Sequence, residues 1–220
     1  MKSKKESWSG YANRVLFEGP IIKGYSIAEY DKQLSSLLLK YIRPRWRIVE
    51  YGTGNGCWLR YLASLCPTKL FYGYEWNPLL VQVAREKSRD FSNIKIIEGD
   101  VSEVYSNHCD LFFATEVITH FSEHKRVLSN WVNGLGKDGI CILTVPNLEN
   151  TSWVMERFNL SLEDILNQDR IITDSYGYDE IWSSKYFREV LESSSLEVLE
   201  MWSMERWHEH ELVSASRKVK

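Results

Sequence analysis

Apolar residues recur along this chain with two periods, and the period switches repeatedly between them. In SIAEYDKQLSSLLLKYI, residues 26–42, the positions Ile27, Tyr30, Leu34, Leu37, Leu38 and Tyr41 share one helical face, and Pro44 stops the helix. RIVEY at 47–51 is then a short apolar run of the kind a buried strand shows. CWLRYLASLC reads as a helix closed by Pro67, and KLFYGYE as a second strand. NPLLVQVAREKSRDF opens with Asn77 as N-cap and Pro78 at the first helical position, where a missing N–H costs nothing. IKIIEGD is a third strand, CDLFFAT a fourth and EHKRVLSNWVNGL a helix. GKDGICILTVPN turns through Gly136, Lys137, Asp138 and Gly139 into a fifth strand. SSKYFREVLESS is a helix, LEVLEMWSM a sixth strand and HELVSASRKV a seventh. The link between the last two is so short that they must run antiparallel.

Strands alternating with helices predict an α/β fold: a doubly wound, mostly parallel, seven-stranded sheet with an antiparallel last strand. The order of strands within the sheet is not readable from the chain. Residues 1–45 read as an N-terminal helical cap segment and 46–220 as the core. The stretch 147–185 interrupts the alternation and reads as a helix-rich lid.

Composition narrows the function classes. At 220 residues, with 44% hydrophobic and 26% charged residues, the chain has the make-up of one well-cored domain with a small elaboration. A net charge of −3 argues against a nucleic-acid binder that neutralises phosphates. The basic clusters Lys2–Lys5 and RPRWR at 43–47 read as a solvated tail and a polar loop. No apolar run reaches membrane-spanning length, and no hydrophobic stretch follows the lysines of MKSKKESWSG, so neither a membrane span nor a secretory signal is expected. Cys57, Cys66, Cys109 and Cys141 lie far apart without metal-type pairing, and read as reduced thiols of a cytoplasmic protein with no metal site.

The chemistry is concentrated in RIVEYGTGNGCW, residues 47–58, where three glycines at alternate positions follow a strand. Bare backbone at the first strand-to-helix turn of a doubly wound sheet lets a ligand approach closely. The dinucleotide fingerprint G-x-G-x-x-G would seat a pyrophosphate there. Here the spacing is G-x-G-x-G, and Cys57 stands where the third dinucleotide glycine belongs, so a pyrophosphate is the weaker fit. Glu75 lies nineteen residues past Gly56, at the end of the second strand, where a carboxylate accepts two ribose hydroxyls. Both NAD sites and nucleoside sites want such an acid.

EYGTGNG resembles the first motif of the class I S-adenosylmethionine-dependent methyltransferases, whose fold is Rossmann-like. Three further segments match in order: EGDVSE, ATEVITHF and LGKDGICILTVPN. ATEVITHF is similar to the corresponding segment of small-molecule methyltransferases related to the ubiquinone-pathway O-methyltransferases. The resemblance implies S-adenosyl-L-methionine as cofactor, held by Glu50, Tyr51, Gly52, Thr53, Gly54 and Gly56 at the methionine end and by Glu75 at the ribose. It further implies Asp100 on the adenine amino group with Val101 beside the ring, Trp76 stacked on it, and Thr115 and Glu116 at the end of the fourth strand. Asp100 is equally suited to capping a short helix, and the two roles are compatible. A charge on Glu50 at the end of a buried strand calls for a partner.

If the nucleophile must lose a proton, His120 is the best-placed histidine by analogy; its alternative is local hydrogen bonding at a helix start. His124 is expected on the exposed side of the following helix, and WHEHE at 207–211 as a polar hairpin. The aromatic surplus, nine tryptophans among it, falls partly in the cap segment and the lid. Tyr11, Tyr25, Trp153 and Tyr178 are the candidates to line an acceptor pocket there, against the alternative that such rings only pack the lid onto the body. ATEV stands where a base-nitrogen methylase would carry an N/D-P-P-Y/F segment, and no Pro-Cys pair for cytosine C5 chemistry is present. The expected function is methyl transfer to oxygen or nitrogen of a small molecule. A peptide or protein methyltransferase, or a cofactor-binding module without turnover, is the alternative, and an NAD-linked oxidoreductase a distant third.

Overall fold

The computed structural model describes residues 32–104, 108–173, 179–206 and 209–219. Its first described helix, α1 (Lys32–Tyr41), carries the C-terminal part of the helix expected over 26–42. Then follow β1 (Arg47–Tyr51), α2 (Cys57–Leu65), β2 (Leu70–Glu75), α3 (Pro78–Lys87) and β3 (Ile94–Glu98). Next come β4 (Cys109–Thr115), a 3-10 turn at Ile118–His120, α4 (His124–Asn133) and β5 (Leu135–Pro146). The insertion holds α5 (Thr151–Phe158), α6 (Leu162–Ile165), β6 (Arg170–Thr173) and β7 (Asp179–Trp182). The chain closes with α7 (Ser184–Ser193), β8 (Leu196–Arg206) and β9 (Glu209–Lys218).

The main sheet has seven strands in the order β3-β2-β1-β4-β5-β9-β8. β1 through β5 pair in parallel, while β9 runs antiparallel to both β5 and β8. The strand order reverses between β1 and β4, so the crevice beyond their carboxyl ends is the topological switch point where doubly wound sheets bind ligands. Local chemistry places the helices that flank it. The Asn77 side chain accepts from the N–H groups of Leu79 and Leu80 with Pro78 at the first turn of α3, and Ser183 caps α7 through Tyr186.

Each face of the sheet buries its own core. On one side α1, α2 and α3 press Leu34, Leu38, Leu59, Leu62 and Val81 onto Ile48 and Phe71. On the other, α4 and α7 press Val127, Trp131, Phe187 and Leu191 onto Val49, Phe112 and Leu143. The alternation of strand side chains therefore sends Ile48 and Glu50 to the first face, and Val49 and Tyr51 to the second.

The insertion differs in part from the helix-rich expectation. Besides two short helices it contains an antiparallel hairpin, with Arg170 opposite Trp182 and Thr173 opposite Asp179. All four residues of β7 are buried, two acids among them, and Asn147 forms a parallel bridge to Trp182. A run of only four residues with two charges gives no strand period to read, which is why the sequence did not announce it. Expected turn residues Gly136–Gly139 are drawn into β5, where the register with β4 slips between Cys109 and Leu111.

Candidate functional site

The glycine loop is built by backbone bonds from β1 to β2. The N–H groups of Gly52 and Thr53 both donate to the Tyr74 carbonyl, at 2.9 and 3.0 Å, and Gly56 donates to Thr53 at 2.8 Å. All three glycines have positive φ, at 72°, 54° and 73°, so none tolerates a side chain without strain. Their surroundings differ. A Cβ on Gly52 would lie 2.5 Å from Val117 Cγ2, so this position is bare because the loop after β4 packs onto it. A Cβ on Gly54 would meet nothing within 4 Å. Only Gly54 thus presents bare backbone to open space.

Two carboxylates flank that backbone from the same face of the sheet. Glu50, 2% exposed, accepts a 2.5 Å bond from Thr53 Oγ1. Burial pushes its pKa from 4.5 up to about 8; the Thr53 bond opposes this, Glu75 adds to it, and Arg60 opposes it. Glu75, 5% exposed, accepts from the N–H of Gly54 and of Asn77, each at 2.9 Å. Burial raises its pKa while the N–H donors of Asn77, Gly54 and Trp76 hold it down. The loop, the end of β2 and the start of α3 are therefore tied together through one carboxylate. Gly73 makes room for this arrangement, since a Cβ there would stand 2.8 Å from the Thr53 side chain.

The remaining residues expected at a cofactor site occupy the ends of neighbouring strands. Trp76 is half-buried just past β2. Asp100 is exposed after β3 and accepts from Ser102 N and Oγ at 2.9 and 2.7 Å, a local bond of a turn over 101–103 rather than the cap of a helix. Val101 is buried in the core, and its carbonyl accepts a 2.7 Å bond from Trp131 Nε1. Tyr51 is fully buried, its ring stacked on Trp131 at 4.4 Å, so its side chain faces away from the loop. Thr115 ends β4, and Glu116 follows it at φ 56°, its N–H bonded to the Thr144 carbonyl at 3.1 Å. That left-handed residue swings Val117 onto Gly52.

Beyond Val117 the 3-10 turn presents His120, whose Nδ1 lies 3.5 Å from Asp179 Oδ1 on the inserted hairpin. Four residues further, at the start of α4, His124 is buried at 3% exposure rather than on the exposed side expected for it. Its Nε2 is 3.0 Å from the Tyr186 hydroxyl and its Nδ1 3.2 Å from the Phe121 carbonyl. Glu180 Oε1 lies 3.4 Å from His124 Nδ1, and the same carboxylate takes Arg170 Nη1 at 3.2 Å and Trp182 Nε1 at 2.7 Å. Asp179, Glu180 and Val117 were not anticipated. The one available signal was the pair of acids beside Ile181 and Trp182, since acids among core residues need partners.

Trp153 lies on α5 and makes edge-on contacts with Phe158 and with the ring of His210, at 5.6 and 5.9 Å between centroids. Tyr11, Tyr25 and Tyr178, and His208 of the WHEHE hairpin, lie outside the described residues. Among the described residues, no group of three or more His, Cys, Asp or Glu is arranged to hold a metal ion. No described helix is long and apolar enough to cross a membrane.

Residues 49–143, which span β1 through most of β5, match the family model described as a methyltransferase domain. This stretch is therefore similar to methyltransferase domains. Solved structures share its fold at low identity. A chain of the complex between the Haloferax volcanii Trm112 methyltransferase activator and its methyltransferase is 16% identical, covers 99% of this chain and 98% of its own, and superposes with a TM-score of 0.75. The magnesium protoporphyrin IX methyltransferase of Synechocystis, solved with bound S-adenosylhomocysteine, is 14% identical over 87% of this chain and 82% of its own, with a TM-score of 0.66. The cyclase SpnF is 15% identical over 84% and 80%, with a TM-score of 0.67. No curated protein matches the sequence. The fold alone does not set the reaction, as a cyclase among the neighbours makes plain.

Proposed function

We propose that the protein transfers the methyl group of S-adenosylmethionine to an oxygen or nitrogen of a small molecule, in the cytoplasm. The observation that carries this is the convergence of Glu50, Glu75 and the bare Gly54 backbone on one side of the switch point. The residues fit the cofactor. Gly54 leaves space for its amino-acid end, and Glu50 is a desolvated carboxylate that an ammonium would satisfy. Glu75 would hold the ribose diol, Asp100 the adenine amino group and Trp76 its ring, with Thr115 and Glu116 closing the far wall. When bound, the cofactor supplies a methyl group on a sulfonium, already an excellent leaving group. The chain's task is then to align an acceptor with that carbon and exclude water, which positioning accomplishes at a gain of several kcal/mol. Trp153 and the lid would line the acceptor side.

Calorimetry tests this reading. S-adenosylhomocysteine binds and NAD does not; the reverse would replace the methyltransferase by an oxidoreductase. Release of S-adenosylhomocysteine in the presence of small-molecule acceptors separates an enzyme from a binding module. The activator-bound Haloferax chain favours a further reading, in which a small protein partner assists this domain. An increase in turnover or melting temperature on adding a Trm112-type protein checks it, and no change in either rejects it.

A further inference from the structure

Gly56 closes the glycine loop and opens α2, and its surroundings are those of neither Gly52 nor Gly54. A Cβ there would stand 3.4 Å from Arg60 Nη1 and from Ala84 Cβ, and 3.6 Å from Ser88 Oγ. A guanidinium and the end of α3 therefore border this glycine. The guanidinium comes from one helical turn further along α2, where the Arg60 N–H donates to the Gly56 carbonyl at 3.1 Å. Half-buried there, Arg60 donates through Nη1 to the Asn55 carbonyl at 2.6 Å. Asn55 is 5% exposed, and its Oδ1 accepts the N–H of Cys57 at 3.1 Å. One side chain of α2 thus grips the loop at the residue between Gly54, which faces open space, and Gly56. A charged donor makes that bond stronger than an amide would.

The charge matters as well as the grip. The titratable groups that act on Glu50 are Glu75 at the end of β2, and Cys57 and Arg60 on α2, with Thr53 donating its hydroxyl. Gly73 of β2 and Phe113 of β4 flank Glu50 in the sheet and carry no charge. Arg60 is the cation among these groups. The attraction is mutual: burial disfavours the Arg60 charge, whereas Cys57 and Glu50 favour it.

We propose that Arg60 is a positioning residue for the cofactor: its guanidinium clamps the glycine loop at Asn55, and its charge favours the ionised Glu50 that receives the cofactor's ammonium. The proposal rests on the methyltransferase reading above. A clamp alone would make Arg60 a piece of the fold. The charge ties it to binding, because the ionised carboxylate is the form that attracts an ammonium.

Carbon-13 NMR of the glutamate carboxyls, with Glu50 assigned through Glu50→Gln, tests this in the free protein. Arg60→Met should raise the Glu50 midpoint by roughly half to one pH unit, less than the loss of a directly paired charge would. Arg60→Lys keeps the charge and should hold the midpoint near the wild-type value of about 8. Calorimetry with S-adenosylhomocysteine in two buffers at about pH 8.5 should count more protons released by Arg60→Met, about one half or more against about one quarter in the wild type. A purely structural clamp would weaken affinity and leave both the midpoint and the proton count where they are. An unmoved midpoint in folded Arg60→Met, or the same rise in Arg60→Met and Arg60→Lys, overturns the proposal. Should Arg60→Met fail to fold, the wild type decides. Its Arg60 Nε–H resonance should titrate with the Glu50 midpoint, and one that stays fixed from about pH 6 to 9 overturns the proposal equally. A moved midpoint in a protein that does not bind S-adenosylhomocysteine would instead sink the methyltransferase reading and leave the coupling of Arg60 to Glu50 standing.

Discussion

Gly52 and Gly54 look alike in sequence and serve different purposes in the fold. Alanine at either must adopt a left-handed backbone, at a cost of about 1–2 kcal/mol. At Gly52 (φ 72°) its methyl also meets Val117 at 2.5 Å, an overpacking term of about 1–3 kcal/mol more. At Gly54 (φ 54°) it meets nothing. Gly52→Ala should therefore lose markedly more stability in denaturant unfolding, part of which Val117→Ala recovers. Gly54→Ala should lose only the backbone cost of about 1–2 kcal/mol but bind S-adenosylhomocysteine at least tenfold more weakly. Equal stability losses in the two variants would refute the distinction. The triplet itself was legible because glycine is the residue that adopts such φ angles without steric cost. Which glycine faces open space was not, since that depends on Val117, sixty-five residues on in the chain.

At the scale of elements, the alternation of strand and helix was readable because strands such as β1 and β4 are short, largely apolar runs and the helices between them repeat their apolar residues with a helical period. Asn77 with Pro78 at α3 is the clearest case. The hairpin β6–β7 was not readable, because its short strands are specified by tertiary partners. Glu180 is the chief of these: it joins Arg170 of β6, Trp182 of β7 and His124 of α4. Removing one member of a buried charged set costs about 3–5 kcal/mol. Arg170 keeps 40% side-chain exposure and regains water when its partner is lost, so the lower end applies. Glu180→Ala should cost about 3 kcal/mol, or roughly 6–12 °C in melting temperature for a domain of this size. Loss of hydrogen-exchange protection should appear first in β6, β7 and the start of α4. A shift under about 1 °C would mean the knot is solvated and does not anchor the insertion.

The whole molecule links these scales through the charge on Glu50. The free native protein holds a proton on this carboxylate up to a pKa of about 8, whereas the unfolded chain releases it near 4.5. Native protein therefore binds more protons than unfolded protein across that window, and the sign of the linkage follows. The contribution is fully present below about 4.5 and is lost as pH rises through about 8, at a slope of about 1.4 kcal/mol per pH unit. An ammonium seated beside Glu50 favours the ionised form and cancels that loss in the complex. Cofactor binding should then expel a proton, and affinity for S-adenosylhomocysteine should rise up to roughly tenfold per pH unit between pH 6 and 8. A saturated protein gains RT ln(1 + [L]/Kd), so its melting temperature should exceed that of the free protein by more at pH 8 than at pH 6. Titrations in two buffers of different ionisation enthalpy count the proton directly, and Glu50→Gln should abolish both the release and the pH dependence. Binding that neither releases a proton nor strengthens between pH 6 and 8 would show that the ammonium is seated elsewhere. The buried acid at the end of β1 would then be a structural cost with another explanation.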